Sequence, residues 1–202
     1  MVRHIHLPND DSEPVNGNSK ERIINEKEII EASKKDPVCF KPIYEFYHHA
    51  IINFVNYKVN DINTASEITS NVFYKALMKI SAYTNKGVPF SSWLYKIAYN
   101  ETMMFFRNSK KQRHVVIDND LTSKIADAIE ESNSDELKRA VAETLKTLNK
   151  EELELIELKY FEQKSINEIA FILNLKPGNV KVRTHRIIKK IRILIKENYG
   201  EI

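Results

Sequence analysis

The sequence predicts an all-α protein: two small helical domains joined by a flexible linker. Three observations predict it. Glycine and proline are scarce, 4 and 6 in 202 residues, so little interrupts a helix. Apolar residues recur at three- and four-residue spacing through most of the chain, the period of an amphipathic helix. Charge is polarised although the formal total is only +3. Arg107, Lys110, Lys111 and Arg113 cluster without an acid. Asp118, Asp120, Asp127, Glu130, Glu131, Asp135 and Glu136 follow with only Lys124 among them, and the C-terminal segment is basic again. Two basic patches bridged by an acidic segment imply two nucleic-acid contacts, not one diffuse one.

The elements follow in order. Residues 1–20 are polar, with Pro8, Pro14 and Gly17 among Asn, Asp and Ser, and read as a flexible tail. Ile23, Ile24, Ile29 and Ile30 mark a short helix ending near Asp36-Pro37. Phe40, Ile43, Tyr44, Tyr47, Ile51, Ile52 and Val55 mark a long one, whose regular part starts at Pro42 because proline fits only a first turn. A third helix spans about Asn63 to Tyr83, with Ala65, Ile68, Val72, Phe73, Ala76, Leu77 and Ile80 inward. After a loop at Asn85 to Pro89, a fourth spans about Ser91 to Arg107, with Trp93, Leu94, Ile97, Ala98 and Met104 as core. Residues 113–134 read as a linker holding a short helix around Leu121 to Ile129. Asn133 with Glu136, and Asn149 with Glu152, have the spacing of helix caps.

Ser165 to Arg192 carries the strongest motif, a basic helix-turn-helix. Ser165 and Glu168 form a capping box, and Ile169, Ala170, Ile172 and Leu173 form the apolar stripe of its first helix. Pro177 and Gly178 sit at the turn, proline being preset for a first helical position. At 100° per residue, Val180, Thr184, Ile187, Ile188, Ile191 and Ile195 share one face of the second helix. Asn179, Lys181, Arg183, His185, Arg186, Lys189 and Lys190 occupy the others. A helix apolar inside and cationic outside, after a tight turn, suits a DNA major groove.

Phe90 to Arg113 is the second informative block. Aromatics at 90, 93, 95, 99, 105 and 106 interleave with Lys96, Asn100 and Arg107. Flat rings beside cations can stack on unpaired bases while the cations hold phosphates. Trp93 and Phe90 read as core; Tyr95, Lys96, Tyr99 and Asn100 read as the exposed nucleic-acid face.

Other chemistries find no support. No phosphate loop, metal-spaced Cys/His set or nucleophile-base motif is visible, so the expectation is no catalysis, no metal and no cofactor. His4 and His6 lie in the tail without a thiol partner, and His48 and His49 are helix neighbours pointing apart. The single cysteine, Cys39, excludes an intramolecular disulfide and fits a reducing compartment. No run is long and apolar enough to span a membrane, and the N-terminus lacks a signal-peptide core. The expected location is the cytoplasm, without membrane insertion.

Taken together these stretches resemble the extracytoplasmic-function (ECF) group of bacterial sigma factors, sigma-70 relatives that keep only regions 2 and 4. Asp36-Pro37 with Phe40 and Ile43-Tyr44 resembles the family's D-P-x-x-F-x-x-L-Y. Ala65 to Phe73, A-S-E-I-T-S-N-V-F, resembles A-E-D-L-T-Q-E-V-F. Phe90 to Asn100 resembles F-R-x-W-L-Y-x-I-A-x-N, Leu148 to Phe161 resembles the family's L-P-x-x-x-R-x-x-x-x-L-x-Y-x helix, and Ser165 to Arg192 resembles the family's helix-turn-helix. The ordered set spans about Glu21 to Glu197.

The resemblance implies a promoter-specificity subunit that binds core RNA polymerase and promoter DNA. Region 2 would occupy residues 21–112 and region 4 residues 135–198. Region 4 would read the −35 duplex with Ser165, Asn179, Lys181, Arg183 and Arg186, with Lys189 and Lys190 on phosphates. Region 2 would open the −10 element using Lys86, Lys96, Tyr99, Asn100 and Arg107, flipping a base at a cost of a few kcal/mol. Glu67, Ser70, Asn71 and Lys75 would dock on the polymerase clamp. An anti-sigma factor, in this group often membrane-bound, is the further partner implied. Three departures stand out: Ser70-Asn71 replaces Gln-Glu or Gln-Asp, Asn179 and Val182 replace Thr and Ser, and Asn149 replaces a proline. Ser70-Asn71 is the best support for the rival reading, a stand-alone helix-turn-helix regulator that never joins polymerase.

Overall fold

The computed structural model describes residues 25–109, 119–129 and 135–200. Among them every regular element is helical. α1 (Glu26–Ser33) leads into a 3₁₀ turn, Pro37–Phe40, opened by the Asp36 carboxylate accepting from Val38 N at 2.9 Å. α2 (Lys41–Val59) continues from it with Pro42 in its first turn, where a missing N–H costs nothing. Asn60, left-handed, ends α2, and Asp61 caps α3 (Ile62–Lys79) by accepting from Thr64 N at 2.6 Å. Both are residue types that tolerate those positions. α4 (Phe90–Ser109) packs across α2 and α3. Its entry loop turns at Gly87, whose φ of 77° favours glycine and whose N–H is held by Asn85 Oδ1 at 2.8 Å.

The second half starts with α5 (Asn119–Ile129). The interval expected as linker thus carries the short helix anticipated there, packed against α6 (Asp135–Lys146). The proposed cap at Asn133 and the basic cluster beyond Ser109 lie outside the described residues. α7 (Lys150–Ile156) opens with the Asn149–Glu152 capping box, 2.9 and 3.0 Å, which gives the departure from proline a structural reason. It continues into a π-helical turn, Glu157–Phe161. α8 (Ile166–Leu173) opens with the Ser165–Glu168 box and ends on left-handed Asn174; α9 (Pro177–Tyr199) begins with proline at its first position. Gly178 lies inside α9, so the turn itself is Asn174 to Lys176.

All six residues assigned to the inner face of α9 are buried. Two assignments in the first half need correction. Met104 is exposed, and Tyr44 lies on the surface with its ring edge-on to Phe73. Conversely Phe54, Tyr57 and Lys58 of α2, and Ser92, Tyr95, Glu101 and Thr102 of α4, are buried although one-face periodicity left them out. Glu101 accepts from Lys75 at 2.6 Å inside the first half, and Thr102 bonds back to Ala98 O. For Lys58, Ser92 and Tyr95 the cover comes from the other half of the chain.

Candidate nucleic-acid interface

α9 presents its outward face freely. With the buried residues centred on Thr184 and Ile191, the opposite side of the helix is the line Val182, Arg186, Lys189, flanked by Asn179 and His185; all are exposed. Lys181 and Arg183 fall about a quarter-turn to either side. Both are exposed, and Arg183 lies 3.6 Å from the Glu151 carboxylate. The sequence marks Val182 only as a departure from the family's Ser, yet it is 49% exposed between two cations; helix phase was the signal that could have placed it on the outward line. Lys190 has a different environment from Lys189. Its ammonium donates to both oxygens of Glu152, at 2.9 and 3.0 Å, tying α9 to the start of α7. Burial alone would raise the Glu152 pKa, but the bonds from Lys190 and Asn149 hold it below the usual glutamate range. Ser165 is exposed, with its hydroxyl accepting from Glu168 N.

The corresponding face of α4 is covered. Ser92, Tyr95 and Tyr99 follow one another at three- and four-residue spacing, so their hydroxyls form a row along one side. Each donates to a carboxylate of the second half: Ser92 Oγ to Glu168 at 2.9 Å, Tyr95 Oη to Glu162 at 2.7 Å, Tyr99 Oη to Glu154 at 2.8 Å. Beside them Lys58 of α2 donates to Glu157 of the π turn at 2.5 Å, both side chains 1% exposed. The Lys164 ammonium lies 3.8 Å from the Tyr95 ring centre and the Lys96 ammonium 4.5 Å from that of Phe171; Tyr57 stacks on Phe161 at 4.8 Å. Tyr95, expected on an exposed face, is therefore buried. Its hydroxyl pKa rises well above the usual tyrosine value, first through burial and then through Glu162. Burial likewise pushes the Glu162 carboxyl up, against the opposing pull of Lys164. Lys96 is half-buried and its pKa falls, through burial first and then the nearby Lys86 charge. Lys86, Asn100 and Arg107 are exposed. A cleft of about 440 Å³ is lined by the Lys86 loop and Lys96 on one side and by Asn167, Phe171 and Asn174 of the helix-turn-helix on the other.

A third face lies on α3. Glu67, Ser70 and Asn71 are exposed, and the stripe continues one and two turns on through Tyr74 and Met78, both large and well exposed. Lys75, expected outward with them, turns inward to Glu101. Among the described residues no group of three or more His, Cys, Asp or Glu could hold a metal, and no helix is long and apolar enough to cross a membrane.

Residues 43–112 match the family model for sigma-70 region 2, and residues 138–191 match that for sigma-70 region 4. The chain is 25% identical over 190 residues to the ECF RNA polymerase sigma factor BldN of Streptomyces coelicolor, covering 92% of this chain and 70% of that protein. It is 28% identical over 172 residues to the ECF RNA polymerase sigma factor SigW of Bacillus subtilis, covering 79% and 90%. Its fold matches CnrH, solved with the cytosolic domain of CnrY, at a TM-score of 0.56, 20% identity and coverage of 85% and 97%. It matches RpoE of Bartonella quintana, solved with the anti-sigma factor NepR, at 0.54, 20% identity and coverage of 79% and 98%. Both domains, their order and their helical elements agree: the chain belongs to the extracytoplasmic-function group of the sigma-70 family and is a promoter-specificity subunit of bacterial RNA polymerase.

Proposed function

We propose that the three faces divide the work of initiation. Residues 135–198 form the unit that reads the −35 duplex, residues 21–112 the unit that holds core polymerase and opens the −10 element, and residues 113–134 connect them. The observation that carries the reading is the outward stripe of α9, opposite its six buried residues. Arg186 and Asn179 reach base edges, Arg186 to guanine. Val182 between them meets a thymine methyl, the apolar contact the major groove offers. Lys181, Arg183 and Lys189 hold phosphates, with Ser165 at the start of α8 beside them. Lys190 serves the fold by holding Glu152.

On the first half, Lys86, Lys96, Asn100 and Arg107 line the path of the −10 strand, and Tyr99 supplies a ring for an unstacked base. On α3, Glu67, Ser70 and Asn71 meet the clamp, and Tyr74 and Met78 add the apolar area that the shorter Ser70 and Asn71 give up. The protein performs no catalysis of its own and works in the cytoplasm. The fold likeness to CnrH and to RpoE, each solved with a regulatory protein partner, supports an anti-sigma factor acting in trans here too.

The deciding experiment is transcription by sigma-free core polymerase on sheared genomic DNA of the source organism. Discrete transcripts that require this chain are expected, and Arg186→Ala should reduce them by about tenfold or more. Absence of transcripts, with no co-elution of chain and core on gel filtration, would instead favour a stand-alone DNA-binding regulator.

A further inference from the structure

We propose that the cleft between the Lys86 loop and the helix-turn-helix binds a free nucleoside polyphosphate, its phosphates on Lys86 and Lys96 and its base against Phe171. The cleft holds about 440 Å³, the size of a small-molecule site. Its cationic wall is Lys86, on the loop that enters α4, and Lys96, in the second turn of α4. Its facing wall is Asn167 and Phe171 of α8 with the C-cap residue Asn174. The rest of the lining, apart from Gly87, is apolar, and none of the described residues that line it is acidic. Glu168, the acid next in sequence to that wall, is engaged by Ser92 Oγ and Ser165 N at 2.9 and 3.0 Å.

Two ammonium groups thus share a cleft with no carboxylate on its walls. Burial, and then the Lys86 charge, lower the Lys96 pKa. An anion placed between the two cations offsets both costs. Lys96 instead rests its ammonium over the Phe171 ring, 4.5 Å from the centre, a weaker partner than an anion. A polyphosphate would draw the ammonium off and free that ring face for a base, since flat bases stack on aromatic side chains. The side chains of Asn167 and Asn174 are exposed and make no hydrogen bond to any described residue, which leaves their amides for a base edge. Charge density selects the ligand. A nucleic-acid strand carries one phosphate per base, whereas a nucleoside polyphosphate places several beside a single base. Two cations next to one ring match the second pattern. Lys86 and Lys96 are also the cations assigned above to the −10 strand; on that reading, the nucleotide and the strand exclude each other.

Calorimetric titration of the full chain with ATP, with tripolyphosphate and with adenosine is the test. ATP should bind more tightly than either of its parts. Lys86→Ala and Lys96→Ala should each weaken ATP binding by about tenfold. Lys79→Ala, at an exposed lysine that does not line the cleft, should change nothing. Phe171→Leu removes the ring and keeps an apolar side chain; it should weaken ATP about fivefold or more and leave tripolyphosphate unchanged. Circular dichroism checks that each variant keeps its helices. No ATP binding, or equal losses in the Lys79, Lys86 and Lys96 variants, overturns the site. ATP no tighter than tripolyphosphate, or a Phe171→Leu loss shared by both, overturns the nucleotide as its ligand. Competition against a labelled oligo-dT of about 20 nucleotides separates this site from the −10 reading. Displacement of oligo-dT by ATP supports exclusion. If both bind together undisturbed, the assignment of Lys86 and Lys96 to the −10 strand falls while the nucleotide site stands.

Discussion

α4 and α9 are both long, both aromatic or basic on one side, and both read as nucleic-acid helices, yet the folded chain treats them oppositely. α9 buries one apolar stripe within its own half and leaves the other side to solvent. α4 buries an apolar side against α2 and α3, and then a second, polar side against carboxylates from α7, the π turn and α8. Donors on a face specify an anionic partner but not its source. A phosphate backbone and a glutamate row satisfy the same hydroxyls, and the intramolecular row has the advantage of high effective concentration.

The largest expected effect comes from the buried Lys58–Glu157 pair. Removing Lys58 alone strands Glu157, a loss of about 3–5 kcal/mol if the pair stays buried. Because the pair joins two halves that each have a helical core of their own, the loss should appear as uncoupling and not as unfolding of either half. Calorimetry of Lys58→Ala is therefore expected to resolve two transitions where the parent shows one. A single transition, shifted down as a whole, would mean that the two halves are one cooperative unit and that the contrast between α4 and α9 is only one of burial.

Next in size is the open face. Arg186→Ala should cost about 1–3 kcal/mol of discrimination at one base pair of the −35 site. Lys189→Ala should weaken binding to all duplexes alike and reduce the salt slope by about one. Binding titrations over several salt concentrations separate the two. Equal effects on specific and random duplex from both substitutions would reduce the outward stripe of α9 to a phosphate clamp. Val182→Ser is a finer probe of the same face. A buried methyl is worth roughly 0.8 kcal/mol, so the parent should favour thymine over uracil at one −35 position about fourfold, and the variant should not distinguish them.

The difference between the two helices also sets what the sequence could convey. α9 was legible because every residue deciding its orientation lies within it: six apolar positions at 100° per residue, a proline at its start, cations on the remainder. The capping boxes at Asn149 and Ser165 were legible for the same reason, their partners being three residues away. Lys58 was not. A lysine on an amphipathic helix reads as solvent-facing, and nothing local announces a glutamate 99 residues on. Tyr95 failed likewise, placed on a free face whose cover lies 67 residues downstream. Ser70-Asn71 departs from the family's Gln-Glu or Gln-Asp, and nothing local announced that Tyr74 and Met78, one and two turns on, stand exposed on the same side of α3.

The smallest effect concerns what keeps α9 properly aimed. Lys190 sits among the cations of its helix, but its two bonds to Glu152 tie it to the α7 cap. The Glu152 pKa is depressed in the folded chain, so its contribution is present in full above the usual glutamate range. It is lost as the pH falls through the depressed value. Lys190 is over a third exposed, so water and salt screen the pair to about 0.5–1 kcal/mol. Glu152→Gln should therefore lower the stability of the second half slightly at neutral pH, and by progressively less on acidification, until variant and parent unfold alike in acid. Urea titrations at several pH values measure the gap. A gap that persists in acid would mean that the amide fails as a cap partner for Asn149, not that the charge pair with Lys190 has been lost. In that case Lys190 would be free to join Lys189 on the phosphates, and the outward face of α9 would be one cation wider than its geometry gives.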